Sequence, residues 1–297
     1  MTIFSVSEPA FVYTEALGLG PQPGITRRDP SDVIRVDDTY YVWYTRTDRG
    51  PSGYDATVWY ATSLDGHTWS EQGEALARGG SDEWDEQSVF TPGILVADEV
   101  YYLFYTSVDR PFSEAAHTAI GAAVADSPHG PWVKLEGNPV LEPGPVERFD
   151  SHRVDDSCLI ARGGEYWLYY KGRQMGLSPA ETKMGLAIAR DPAGPYVKVS
   201  SDPVIPCGHE VLVWPHGPGV ACLVSMGPKS LWYAEDGIEF GMVCELSDRP
   251  SAPGAYRPDA FDGPTRGQGI CWGICQVCPP DARPYLARFD CDLTPGH

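Results

Sequence analysis

DPSDVIRVDDTYYVWYT (29–45), FTPGILVADEVYYLFYT (90–106) and DDSCLIARGGEYWLYYK (155–171) are three versions of one strand pair, and their reading decides the fold. Each joins two runs of aromatic, aliphatic and β-branched residues through a short turn of Asp, Gly or other polar residues, which is the pattern of a β-hairpin. A second shared piece follows each pair: WYATSLDGHTW from Trp59, AAVADSPHGPW from Ala122 and LAIARDPAGPY from Leu186. It reads as a short strand, a turn of Asp, Pro and Gly, and an aromatic that opens another strand. Together the pieces make a four-stranded unit recurring roughly every sixty residues, a little longer than a usual propeller-blade repeat.

Working outward, HEVLVWPHGPGVACLVS from His209 and WYAEDGIEF from Trp232 form a more diverged fourth unit. GICWGICQVC, RPYLARFDC and the N-terminal FVYTEA supply a fifth, as expected if the two chain ends share a blade. The sequence therefore predicts an all-β, five-bladed β-propeller of four-stranded antiparallel blades, ring closed by both chain ends, with residues 1–297 as a single catalytic domain. The 32 Gly and 28 Pro suit a turn-rich chain, and neither a long amphipathic helix nor a linker interrupts it.

With 22 Lys and Arg against 41 Asp and Glu, the net charge is −19. Such a surface repels phosphate backbones and anionic headgroups, so neither nucleic acid nor membrane is an expected partner. A neutral sugar meets no such barrier, and the 9 Trp and 16 Tyr can supply stacking faces as well as strand residues. The first residues lack a basic start and an apolar core of signal type, so a cytoplasmic location is expected. The eight Cys, all between Cys158 and Cys291, lack the dense spacing of a disulfide scaffold. Cys271, Cys275 and Cys278 have iron–sulfur spacing, but no α/β barrel follows, and buried strand thiols are the simpler reading. No spacing specifies a transition-metal site.

In a propeller the first strand of each blade lines the axis, so equivalent repeat positions converge on one funnel. Aligning Tyr40-Tyr41 with Tyr101-Tyr102 and Tyr166-Trp167 sets Asp29 level with Phe90 and Asp155, and a looser alignment on Val220-Ala221 adds His209, followed by Glu210. Glycoside hydrolysis needs a proton donor and, across the sugar, a nucleophile or a base. Asp29 could instead cap a turn, and His209 could be a structural histidine, leaving Glu210 as donor. Asp155 and Asp156 alternate faces on a regular strand, and register favours Asp155. Arg27, Arg28, Trp84, Gln87, Thr91 and Arg153 flank the axial strand starts as candidates for holding sugar hydroxyls. His152 and His216 are weaker candidates.

RRDPSDVI with YYVWYTR, EWDEQSVFTP, RVDDSCLI and GHEVL resemble family 117 of the glycoside hydrolases over Ile25 to Phe261, and more distantly the family 43 propellers. The resemblance implies an exo-acting, inverting enzyme that releases 3,6-anhydro-L-galactose from neoagaro-oligosaccharides. It matches Asp29 to the general base, Asp155 to the second aspartate and His209 to a histidine acid, with Glu210 beside it. It requires no cofactor, allows a water-coordinated divalent cation on the axis, and allows a homodimer, although the helical N-terminal segment that typical members use to dimerise is missing. An arabinofuranosidase or xylosidase on the same scaffold, and a non-catalytic carbohydrate-binding propeller, are the alternatives.

Overall fold

The computed structural model describes residues 3–5, 8–111, 116–225, 229–261 and 267–296. Among these residues the regular structure is almost wholly β, with one 3-10 turn at Pro179–Glu181. In chain order the strands are β1 (Val12–Glu15), β2 (Thr26–Pro30), β3 (Ile34–Val36), β4 (Thr39–Thr47), β5 (Thr57–Ser63), β6 (Trp69–Leu76), β7 (Ser88–Ala97), β8 (Val100–Val108), β9 (Thr118–Ala125) and β10 (Val133–Lys134). They continue as β11 (Arg153–Arg162), β12 (Glu165–Arg173), β13 (Lys183–Ala189), β14 (Val197–Lys198), β15 (Val211–His216), β16 (Gly219–Val224), β17 (Ser230–Ala234), β18 (Gly241–Glu245), β19 (Ser251–Ala255), β20 (Ile270–Val277) and β21 (Tyr285–Leu293).

Antiparallel pairing groups them into successive meanders: β2/β3-β4-β5-β6, β7-β8-β9-β10, β11-β12-β13-β14, β15-β16-β17-β18, and a last sheet ordered β1-β21-β20-β19, in which β1 from the chain start pairs with β21 from its end. The second and third meet through one parallel pair, Arg153 with Thr118. The first strands touch in rotation, β2 with β7, β7 with β11, β11 with β15, β15 with β19 and β19 with β2. This all-β, propeller-like arrangement puts one end of each first strand near a common axis.

Local chemistry explains the repeat. Tight hairpin turns need positive φ, which Asp37, Asp98 and Glu99 supply in the first two meanders and Gly163, Gly164 and Gly217 in the next two. The later turns are organised by aspartate side chains: Asp65 Oδ1 accepts from His67 N and Thr68 N at 2.8 and 2.7 Å, and Asp236 Oδ1 accepts from Ile238 N and Glu239 N at 2.8 and 2.9 Å. The second strands carry equivalent tyrosines, each donating to an acid: Tyr44 to Glu71 at 2.8 Å, Tyr105 to Asp85 at 3.0 Å and Tyr170 to Asp150 at 2.7 Å. Arg27, Lys134 and Lys198 neutralise those acids, so this polar layer between sheets is balanced in charge. A fully buried Arg257 ties the sheets below the axis, donating to Asp32 Oδ2 at 3.2 Å, to Val213 O at 3.1 Å and to Asp259.

Candidate active site

Four of the five first strands, all but β15, carry an irregularity at the same level. Asp29, Thr91, Asp156 and Ala252 have φ of 47°, 45°, 50° and 38°, the left-handed region that non-glycine residues seldom enter. In all four the ladder skips: between Arg28 and Pro30, Phe90 and Gly93, Asp155 and Cys158, and Ser251 and Gly254. A bulge re-aims a side chain out of the pleat. Here the bulged residues, with Glu210 at the head of β15, all line one hollow of about 570 Å3.

This register corrects the expected alignment by one residue. Arg28, Phe90 and Asp155 pair with the equivalent residues Thr45, Thr106 and Lys171, so Asp29 matches Thr91 and Asp156, not Phe90 and Asp155. The slip arises because the first strand breaks between β2 and β3, where Asp32 turns aside to Arg257 and Val33 to Tyr256. That break holds one residue more than the continuous β7 and β11, a difference that hydrophobic pattern does not reveal.

Asp29, Asp155, His209 and Glu210 nevertheless come together, lining an adjoining hollow of about 380 Å3 with Arg28, Thr91, Asp156 and Lys171. Because of the bulge, Asp155 and Asp156 both reach it, and both pair with the Lys171 ammonium, Asp155 at 3.3 Å. Burial pushes the Asp155 carboxyl up to about 6, against the pull of Lys171. Asp29 Oδ2 accepts from Arg28 Nε at 2.8 Å. Glu210 Oε2 accepts from Ala252 N at 3.0 Å and Ser251 Oγ at 3.1 Å, and its Oε1 from Gln276 Nε2 at 3.3 Å. His209 Nδ1 lies 3.2 Å from both Thr182 Oγ1 and Pro179 O. A carbonyl only accepts, so Nδ1 carries the proton. Lys171, burial and, to a smaller extent, Arg173 and Arg28 together push the imidazolium pKa down to about 2.

The other candidates are dispersed. Arg27 is buried away from the hollow, held by Glu71 at 2.8 Å and Gln22 at 2.6 Å. Trp84 stacks on Tyr105 at 5.7 Å within the packing between sheets, and Gln87 donates to Tyr54 O at 3.3 Å. Arg153 sits opposite Arg173 one pleat beyond Asp155, and none of these four lines either hollow. His152 is buried against His117, and His216 packs on Phe4 with Nε2 bonded to Ile3 O at 2.8 Å. Cys275 is buried while Cys271 and Cys278 are exposed, all as free thiols. Among the described residues no three His, Cys, Asp or Glu gather closely enough to hold a metal, and no helix is long and apolar enough to cross a membrane. Sequence reasoning missed Lys171, Tyr54 and the fifth sheet's Ser251 and Gln276. Only Lys171 left a trace, as the lysine that ends a repeat whose other copies end in threonine.

Carboxylates from separate sheets facing one sugar-sized hollow on an all-β, propeller-like scaffold are the equipment of glycosidic bond cleavage. Residues 24–157 match the family described as Glycosyl hydrolases family 43. The fold is shared with the α-L-arabinofuranosidase PaAbf62A of Podospora anserina, solved in complex with cellotriose (12% identity, 98% of this chain, 99% of that chain, TM-score 0.69), and with fructan 1-exohydrolase IIa of Cichorium intybus (14%, 94%, 57%, 0.67). The protein is a glycoside hydrolase. It is similar along nearly its whole length to Zg3597, a family 117 glycoside hydrolase of the marine bacterium Zobellia galactanivorans, with 34% identity over 99% of this chain and 92% of that one and a TM-score of 0.88. The chain belongs to glycoside hydrolase family 117. No curated protein matches it.

Proposed function

We propose that this is an exo-acting, inverting hydrolase on a five-bladed propeller, releasing a non-reducing-end 3,6-anhydro-L-galactose from neutral neoagaro-oligosaccharides. The observation that carries the reading is the meeting of Asp29 and Glu210, from different sheets, in one hollow whose lining also includes Asp32, Asp156 and neutral groups. The net charge of −19 favours an uncharged substrate.

Asp29, anchored by Arg28, accepts a proton from water as the water attacks the anomeric carbon. Glu210 protonates the departing oxygen. His209 is a poor donor in this arrangement, because its Nδ1 proton is committed to Pro179 and Lys171 opposes a second proton on the ring. Asp155 and Asp156 orient the sugar. The family 43 match supports a second reading, an arabinofuranosidase or xylosidase, which aryl glycosides assayed beside neoagarobiose distinguish. Asp29→Asn should fold normally and lose at least about 100-fold in turnover; near-normal turnover would mean that another group is the base.

A further inference from the structure

The second strands place one residue each at the level of the bulges: Thr45, Thr106, Lys171 and Gln276 beside them and, just past β16, Ser225 beside Glu210. Four are neutral, and each accepts a hydrogen bond from a bulge-level amide. Thr45 Oγ1 takes Thr91 N at 2.8 Å, Thr106 Oγ1 takes Asp156 N at 3.1 Å, and Gln276 Oε1 takes Asp29 N at 3.3 Å, in every case from the neighbouring sheet. An ammonium has no lone pair to offer. Residue 171 therefore cannot serve the next sheet's Glu210 N, which turns instead to Ser225 Oγ of its own sheet at 3.1 Å. Ser225 likewise stays within its own sheet, Ala252 N going to Glu210 Oε2, but only at residue 171 does a buried cation stand where the other sheets carry a neutral acceptor.

The cation faces Asp155 Oδ1 at 3.3 Å and Asp156 from β11, with Tyr54 from the β4–β5 loop and His209 from the head of β15 lining the same hollow. Arg28, Asp29 and Glu210 complete the ionisable lining, while Arg153 and Arg173 stand one pleat outward. We propose that Lys171 is the positioning residue of the site: its ammonium clamps Asp155 to Asp156 and fixes which neighbouring groups hold protons before a substrate arrives. Without it the two adjacent carboxylates repel, and one either takes up a proton or swings away, because neighbouring like charges do not both ionise freely. His209 loses its largest repelling charge at the same time. The kinetic consequence rests on the hydrolase mechanism above, but the clamp is observable without a substrate.

The test uses Lys171→Gln and Lys171→Arg in the full chain, with the His209 imidazole followed by NMR titration and assigned through His209→Gln. In the unsubstituted protein His209 should stay neutral down to pH about 4, and in Lys171→Gln its midpoint should rise by at least about one unit, with Lys171→Arg close to the original. With neoagarobiose, Lys171→Gln should lose about 100-fold in kcat with KM changed less than about threefold, its acid limb should move upward, and Lys171→Arg should recover at least about tenfold. An unchanged His209 midpoint in a folded Lys171→Gln protein, or no recovery by Lys171→Arg, overturns the proposal. If Lys171→Gln does not fold, the unsubstituted protein decides: His209 titrating near its ordinary 6.5 refutes the clamp. A shifted His209 midpoint in a protein that cleaves no glycoside would leave the clamp standing and fell the hydrolytic mechanism alone.

Discussion

Replacing Glu210 with Gln separates proton donation from the other work of that side chain. The amide keeps the volume and one acceptor oxygen. If that oxygen takes the Oε2 position, the bonds from Ala252 N and Ser251 Oγ at 3.0 and 3.1 Å survive, and the new amide N–H faces Gln276 Nε2, formerly 3.3 Å from Oε1. Gln276 cannot flip to relieve the conflict without surrendering Asp29 N. The structural cost is thus one hydrogen bond to a charged group, about 2 kcal/mol. The chemical cost is larger and selective. A sugar leaving group needs its proton, so turnover of an oligosaccharide should fall about 100- to 10,000-fold. A dinitrophenolate leaves unaided, and release of 2,4-dinitrophenol from the matching aryl glycoside should fall less than about tenfold. The basic limb of kcat/KM should vanish in the variant. Equal losses on both substrates would refute proton donation by Glu210, and a leaving-group split in His209→Gln instead would assign the donor to the histidine.

Two predictions concern the floor of the site. Arg257→Met leaves Asp32 and Asp259 buried without their shared cation, so urea unfolding should show a loss of about 3–5 kcal/mol, and a loss under about 1 kcal/mol would show that the ion cluster does not hold the sheets together. Burial pushes Asp32 up to about 6, above its unfolded value, so its contribution to stability is complete below about pH 4 and lost as pH rises through 6. Asp32→Asn should remove that decline, about 3 kcal/mol between pH 4 and 7; unfolding curves that fall in parallel for both proteins would contradict the assignment.

Much of this architecture was legible in the hydrophobic and turn pattern, because hairpins with Asp or Gly at positive φ mark themselves. The last sheet was legible in three of its strands. Its fourth, β19, escaped because SAPGA lacks β-branched and aromatic residues and is placed by packing on Ser31 and Asp32. The site was legible as residues but not as geometry. Counting along strands assumes an unbroken period of two, and bulges at Asp29, Thr91, Asp156 and Ala252 break it. Arg27 and Trp84 were misleading for the opposite reason: the charged and aromatic types that hold sugars also satisfy a buried polar layer, and only contacts separate the two uses.

The central claim is that Asp29 and Glu210 act across one hollow on a single terminal glycosidic bond, with water entering opposite the leaving group. Proton NMR of a neoagaro-oligosaccharide digest, recorded from the first minute, tests it most directly. The account predicts free 3,6-anhydro-L-galactose appearing first with the anomeric configuration opposite to that of the bond cleaved. First appearance of the retained anomer, or an intact oligosaccharide before a fully folded protein, would contradict it.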